Sequence, residues 1–161
     1  LHPHLDEHDT RILAELQGDA RLSMAELGRR VQLSQPGVTE RVRKLESAGV
    51  ITGYAATVDF GKLGYGIRAL LRLGRGEPAR VAKLVQQTPE VVNAYNVAGE
   101  GSWLLEIAVV DVPHLDAVIS KFGLLTDVST AVILNALREH EPMLPARRDD
   151  ARTPIRKVSI A

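Results

Sequence analysis

The sequence predicts an α+β protein: an N-terminal winged-type helix-turn-helix unit, a hinge strand, and a β-α-β-β-α-β unit. Three observations predict it. The first fifty residues carry apolar side chains at helical spacing, broken twice by turn signals. From Gly66 onward the apolar period alternates between two and 3.6, in the order strand, helix, strand, strand, helix, strand. Between these stretches "DFGKLGYG", residues 59–66, holds three glycines in eight residues and reads as a hinge. The expected division is 1–50 for the helical domain, 51–64 for the hinge strand and linker, 65–137 for the second domain and 138–161 for a tail.

The helical elements follow from their stripes and caps. Ile12, Leu13 and Leu16 give a first helix over roughly residues 6–17, ended by Gly18 and Asp19. Ser23 precedes "MAELGRRV" with Glu26 three residues on, the capping-box spacing in which each side chain satisfies the other's free N–H. Met24, Leu27 and Val31 make the stripe of that short second helix. Gln32 and Leu33 turn the chain. Ser34 is a suitable N-cap for a third helix, Pro36 is tolerated in its first turn, and Gly49 ends it. Two short helices joined by a tight turn make a helix-turn-helix.

On the third helix Val38, Val42 and Leu45 share one face. Pro36, Glu40, Arg43, Lys44 and Ser47 lie nearly opposite, with Thr39 and Arg41 on the shoulders. The N-terminal residues of such a helix reach base edges in a major groove, so Ser34, Gln35, Pro36, Thr39 and Glu40 fall at the reading end. Gln35 and Thr39 can bond to bases; Arg43 and Lys44 suit phosphate or guanine. Arg29 and Arg30 on the second helix are candidates for phosphate. The whole chain is neutral, with 20 basic and 20 acidic residues, so global charge does not point to nucleic acid. Locally, from Ala20 to Lys44, six cations face only Glu26 and Glu40. That island is either a phosphate-binding surface or a solvated helical face. Arg41, Arg43 and Lys44 are all read as DNA contacts; for Arg41 the structural alternative is an ion pair with Glu26 or Glu46.

After Gly49, "VITGYAATVDF" alternates and reads as the hinge strand. In the second half Ile67, Ala69, Leu71 and Leu73 alternate as a strand. Pro78 opens a helix with Val81, Leu84 and Val85 on one side. "EVVNAYNV" and "SWLLEIAVV" are strands around the turn "GEG". Leu115, Val118, Ile119 and Phe122 mark a second helix, and "VSTAVILNA" is the last strand. This order is the ferredoxin-like arrangement, with two helices on one face of an antiparallel sheet. Its strands are apolar on both sides: Trp103, Leu105, Ile107 and Val109 on one, Leu104, Ala108 and Val110 on the other, interrupted by Glu106. A sheet with a wet second face alternates more cleanly, so that face is expected to be covered, by an identical sheet or by the tail after Leu137. Ile133 is assigned to it.

Other classes are set aside on composition. The chain has 161 residues and is 45% hydrophobic, enough for real cores. No apolar run reaches the length of a membrane span, and "LHPHLDEHDTRIL" is not a secretory signal. With no cysteine there is no disulfide framework and no thiolate chemistry. The expected location is cytoplasmic and nucleoid-associated. His2, His4 and His8 lie close in sequence, but no metal site and no cofactor is expected from them.

Residues 5–137 resemble the Lrp/AsnC family of transcription regulators, the feast/famine regulatory proteins. "LDEHDTRILAELQGDARLSMAELGRRVQLSQPGVTERVRKLESAGVITGYAATVD" matches the DNA-binding half of the family nearly end to end, and "TPEVVNAYNVAGEGSWLL" resembles the segment leading into its effector site. The resemblance implies double-stranded DNA as a partner. It implies homodimers that build octamers or other closed rings, and a free amino acid as effector at contacts between dimers. It places the effector turn at Tyr95, Val97, Gly99, Glu100, Gly101 and Ser102, where backbone N–H groups can hold a carboxylate and Glu100 an ammonium; the alternative is an ordinary β-turn that needs its glycines. Many members carry Asp where this chain has Ser102, and Ser or Thr in place of Ala98. The family often places a Thr-rich segment before the last strand; the resemblance carries this to Thr126 or Thr130, and Thr130 is assigned to the effector site. The tail basic residues read as a disordered arm or as a strand added to a neighbour.

The expected function is a sequence-specific DNA-binding transcription regulator tuned by an amino acid or similar small molecule. Two alternatives stand beside it. One is an enzyme like the sirohaem decarboxylases, which resemble this family in fold and would need a basic porphyrin pocket with catalytic His or Arg residues in the second half, where the histidines are His114, before a helix, and His140, in the tail, with no convergent cluster. The other is an architectural DNA-binding protein without an effector.

Overall fold

The computed structural model describes residues 4–99, 102–139 and 141–146. The chain forms two compact units. Among the described residues the first comprises 4–55 together with the tail from Arg138, and the second runs from Ala56 to Leu137.

The first unit is three helices around one core. α1 spans Glu7–Gly18, α2 Met24–Val31 and α3 Gln35–Ser47. Ile12, Leu13 and Leu16 of α1 meet Leu27 and Val31 of α2 and Val38, Val42 and Leu45 of α3. Full burial of such side chains contributes about 1.5–3 kcal/mol each. The caps differ from expectation in one respect. Ser23 does cap α2, accepting from Glu26 N at 3.2 Å, but the Glu26 carboxylate is taken by Arg29 and Arg30 and does not close the box. The reciprocal box forms on α1, between Asp6 and Asp9. Ser34 caps α3 through Gly37 N, and Gly49, at φ +68°, lets Val50 N reach back to Leu45 O.

The turn between α2 and α3 is tight. Gln32 is left-handed at φ 60°, and Leu33 N donates to Gly28 O at 2.8 Å. Gly28 is needed here: a Cβ on it would stand 2.7 Å from the Leu33 carbonyl oxygen.

The second unit is a four-stranded antiparallel sheet with two helices. β1 is Ile67–Leu73, α4 Pro78–Gln86, β2 Val91–Asn96, β3 Trp103–Val109, α5 Val112–Gly123 and β4 Val128–Val132. The strand order β2-β3-β1-β4 is that of the ferredoxin-like arrangement. Ala69, Leu71, Leu73, Leu105, Ile107 and Val109 turn toward Val81, Leu115, Val118 and Phe122 of the helices. The register that puts them there puts Arg68, Leu70, Leu104, Glu106 and Ala108 on the opposite, open face.

Three expectations change. The segment expected as a hinge strand is not one: among the described residues, 52–58 makes no backbone–backbone hydrogen bond. Its alternation is real, but a strand exists only where a neighbour completes its ladder. The open face is less apolar than the sequence suggests. The Arg68 guanidinium pairs with Glu106, Asn93 Nδ2 donates to the same carboxylate at 2.9 Å, and the Phe60 ring lies 5.2 Å from the guanidinium. Finally, the described tail residues group with the first unit. Met143 belongs with the first unit, where its backbone exchanges two hydrogen bonds with the Gln17 carboxamide, at 2.8 and 3.0 Å.

Gly28→Ala should lower the stability of the first unit by about 1–3 kcal/mol, because the new methyl meets a backbone oxygen that cannot rotate away. Gly18→Ala, with nothing within 4 Å of its added Cβ, should be neutral or slightly stabilising. Thermal melts followed by circular dichroism compare the two.

Candidate nucleic-acid interface and effector turn

The outward face of α3 presents Gln35, Pro36, Thr39, Arg43 and Lys44, all exposed, with Glu40 half-buried among them. Ser34 sits at the cap, its hydroxyl accepting from Gly37 N at 3.3 Å. Thr39 is also partly committed, because its hydroxyl donates to Gln35 O at 2.7 Å. Its oxygen can still accept a bond from a base. The Gln35 carboxamide is in no such bond and has donor and acceptor together, the combination that adenine's major-groove edge requires.

The cations of the expected basic island are compensated. Arg43 forks onto Glu40, with both N–H···O distances 3.0 Å, and Lys44 Nζ is 3.8 Å from the same carboxylate. Arg29 and Arg30 both pair with Glu26, and Arg30 reaches Glu15 at 2.9 Å as well. These guanidinium groups hold the Glu40 and Glu26 carboxyls below their usual range. Residues 5–52 carry eight Asp or Glu against seven Lys or Arg, so the helical unit has no excess positive charge of its own. Apart from Arg30–Glu15, which joins α2 to α1, the pairs lie at i, i+3 and i, i+4 on exposed helix faces, where each contributes only about 0.2–0.5 kcal/mol. A phosphate approaching α3 can therefore take Arg43 from Glu40 at small cost.

Arg41 is different. Its Nη1 donates to Asp6 Oδ2 at 2.7 Å and to Asp9 Oδ1 at 2.8 Å, and the side chain is 31% exposed. It turns along the shoulder toward α1, not outward with Arg43. Neither Glu26 nor Glu46, the partners named for the structural alternative, is involved: Glu26 is taken by Arg29 and Arg30, and Glu46 accepts from the Tyr54 hydroxyl at 2.9 Å. The signal for the observed pairing was present in "LDEHD", where two aspartates stand at the i, i+3 spacing of a capping box.

The candidate effector turn is anchored at both ends. Val97 N donates to Ser102 O at 3.0 Å, and Ser102 N donates to Leu73 O at 3.0 Å. Asn96 Nδ2 donates to Ser102 O, also at 3.0 Å. Gly99 has φ +114°, a conformation that favours glycine. Glu100 and Gly101 lie outside the described residues. Tyr95 is 54% exposed and projects from β2 on the open face, opposite Leu104. Thr130 does not join this group within one chain. It is on β4, at the other edge of the sheet, and pairs with Leu71 on the helix-facing side. Three strand spacings amount to about 14 Å. Thr126 is the better-placed threonine. Its Oγ1 would lie 2.9 Å from a Cβ on Gly74, which directly follows Leu73, the residue that anchors Ser102. Chain-local pattern could not separate Thr126 from Thr130, because their distance from the turn depends on strand order.

Other candidate chemistry is sparse. His114 Nε2 is 2.9 Å from Glu90 Oε1, which keeps the Glu90 carboxyl below its usual range. His140 lies outside the described residues, as does His2. Among the described residues no group of three or more His, Asp or Glu side chains is placed to hold a metal ion, and no helix is long and apolar enough to cross a membrane.

The comparisons with known proteins agree with this anatomy. Residues 5–52 match the family model for a winged helix-turn-helix DNA-binding domain, and residues 69–143 match that for an Lrp/AsnC ligand binding domain. The HTH-type transcriptional regulator LrpC of Bacillus subtilis is 36% identical over 135 residues, covering 83% of this chain and 94% of that protein. The regulator Rv2324 of Mycobacterium tuberculosis is also 36% identical, over 86% of this chain and 98% of its own length. The solved structure of LrpC superposes with a TM-score of 0.80, over 84% of this chain and 99% of the other. The transcriptional regulator NMB0573 of Neisseria meningitidis, solved as an L-Met complex, superposes at 0.81 with 28% identity, over 87% of this chain and 96% of the other. Two matched domains in this order, and relatives aligned over nearly their full length, place the chain in the Lrp/AsnC family of transcription regulators.

Proposed function

We propose that this protein is a sequence-specific DNA-binding transcription regulator whose assembly or DNA affinity responds to an amino acid or similar small molecule. The observation that carries the reading is α3 itself. It is capped by Ser34 at the end where its side chains would enter a groove, and it presents Gln35, Thr39 and a forked Arg43–Glu40 pair outward. On DNA, Arg43 exchanges Glu40 for a phosphate, as does Lys44, and Glu40 becomes free to accept from a cytosine amino group. Arg29 and Arg30 supply further phosphate contacts by the same exchange. Since the unit has no net positive charge, non-specific attraction is weak, and recognition depends on local exchange of ion pairs.

The effector reading rests on the Lrp/AsnC ligand binding domain match and on the L-Met complex of NMB0573. In this chain the ligand would lie against the turn from Val97 to Ser102, with Tyr95 and Thr126 as the nearest candidates for its side chain. Binding rather than catalysis is the role of the second unit; the His114–Glu90 pair is no substitute for the convergent basic pocket that a porphyrin enzyme would require. The protein works as a homodimer or a larger closed ring, in the cytoplasm, on double-stranded DNA. The open face of the sheet and the unpaired 52–58 segment are the surfaces a second copy would complete.

Three outcomes test this. Arg43→Ala should weaken binding to all duplexes and reduce the salt slope by about one, whereas Glu40→Gln should raise affinity for random duplex DNA and narrow the gap to a selected site. Fluorescence anisotropy across a salt series reads both; an Arg43→Ala protein with unchanged affinity for every duplex would count against this face. Ile133→Asp puts a charge on the open face, where Ile133 N bonds to Arg68 O at 2.9 Å and the side chain is half-buried. If a second copy covers the face, sedimentation should show smaller species, since an unpaired buried charge costs several kcal/mol. Calorimetry with the twenty amino acids, repeated on Ser102→Asp, should detect at least one ligand. No heat from any of them would leave the architectural reading in its place.

A further inference from the structure

We infer that Arg41 is a positioning residue for the reading helix: locked to the capping box of α1, it sets the angle at which α3 offers Gln35 and Thr39 to DNA, and it does not itself touch DNA. The inference deepens the proposed function and rests on it.

The hydrogen bonding between these three side chains is complete. Asp6 Oδ1 accepts from Asp9 N at 2.9 Å and Asp9 Oδ2 accepts from Asp6 N at 3.2 Å, which completes the box. The two remaining oxygens, Asp6 Oδ2 and Asp9 Oδ1, both receive Arg41 Nη1. Each of the four carboxylate oxygens thus has one donor. The Asp9 side chain is only 15% exposed, so the pair is shielded from water on one side. At 100° per residue, Arg41 stands roughly 130° around α3 from the centre of the stripe formed by Pro36, Glu40, Arg43 and Ser47. A guanidinium held there points away from any groove that the stripe enters.

The clamp supplies what the core does not. α1 and α3 otherwise meet through Ile12, Leu13 and Leu16 against Val38, Val42 and Leu45. Apolar contact is non-directional and tolerates a small roll of one helix on another. Charge-assisted hydrogen bonds from one nitrogen to two fixed oxygens do not. The roll matters at the reading end. A helix with side chains is about 10–12 Å across, so a roll of about 20° moves a side-chain tip by about 2 Å. That is enough to break a base contact that needs about 2.7–3.2 Å. Arg43 and Lys44 are held only by Glu40 of their own helix and cannot fix its roll.

The test uses the full chain, a duplex enriched from a random pool by the wild-type protein, and a random duplex of equal length. The variants are Arg41→Gln, the pair Asp6→Asn with Asp9→Asn, and all three together. Asparagine is an equally good N-cap, so the acid variants remove charge and keep the cap acceptor. Measurements are made at a temperature where circular dichroism shows each variant folded. If Arg41→Gln does not fold, Asp9→Asn and Arg41→Lys carry the same comparison. Positioning predicts that each variant lowers the selected-to-random affinity ratio on the order of tenfold, the worth of about one base contact. It predicts that the triple variant is no worse than either parent and that the salt slope on random duplex stays the same. Arg41→Lys should recover most of the ratio, because a single nitrogen makes both contacts. Removing the acids separates the rival readings by sign. If Arg41 is a phosphate contact held in reserve, the Asn pair will bind all DNA more tightly and the slope will steepen by about one, and the inference fails. It fails equally if the variants melt earlier but keep the wild-type ratio. A wild-type protein that enriches no sequence would overturn the proposed function together with it.

Discussion

An antiparallel sheet of four strands has two faces, and this chain's two helices cover only one. Much of the architecture depends on that constraint. The covered face is uniform: Ala69, Leu71, Leu73, Leu105, Ile107 and Val109 are buried against α4 and α5. In the proposed homodimer the open face has to satisfy two demands at once, remaining soluble in a single chain and permitting burial by a second. It does so by surrounding a polar centre with apolar residues. Leu70, Leu104, Ala108 and Ile133 lie around the Arg68–Glu106 pair, with Asn93 on the free side of the carboxylate and Phe60 by the guanidinium. Replacing such a pair with hydrocarbon is often neutral or stabilising once buried, so its contribution is better sought in register than in affinity. A charged pair at the middle of a face accepts a partner in one alignment and penalises the others.

The helical unit applies the same economy of charge. Its six clustered cations suggested a phosphate surface, and in the folded unit five of them are already paired, Arg29, Arg30, Arg41, Arg43 and Lys44. The pairs are of two kinds. Those of Glu26 and Glu40 are local, exposed and cheap to open. The pair of Arg41 with Asp6 and Asp9 joins residues more than thirty positions apart and is partly shielded. The first kind can be exchanged for phosphate; the second holds helices in place. A count of charges along the sequence treats both alike, which is why Arg41 looked like its neighbours Arg43 and Lys44.

What was legible in the sequence is what short-range physics decides. The stripes Ile12–Leu16, Val38–Leu45 and Leu115–Phe122, the caps Ser23 and Ser34, and the stop at Gly49 all appear where spacing put them. The alternation in β1 and β3 fixed which face is buried. The rest depended on partners distant in the chain. Residues 52–58 alternate like a strand, yet a ladder needs a second segment and none is supplied by the described residues. Thr130 and Thr126 are four residues apart and look equivalent, but the strand order β2-β3-β1-β4 sends one to the far edge and leaves the other next to Gly74. The tail looked free, and its described part is tied at Met143 to the Gln17 carboxamide, a contact across 126 positions.

If the turn binds a small molecule as proposed, Gly74 links it to the rest of the sheet. Gly74 N donates to Asp127 O, and the preceding carbonyl, of Leu73, accepts from Ser102 N. One end of β1 is thus bonded both to the segment that starts β4 and to the close of the effector turn. A Cβ at Gly74 would press on Thr126 Oγ1, so the glycine keeps that threonine close to the backbone of the turn's anchor. A ligand that ordered the turn would act on Ser102, and through Leu73 and Gly74 on the register at which β1 meets both of its neighbours. β1 also carries Arg68, whose carbonyl accepts from Ile133 N on the open face. The route from a bound small molecule to the surface where copies would meet therefore need not cross the core. It can run along a single strand, through backbone hydrogen bonds of about 3 Å.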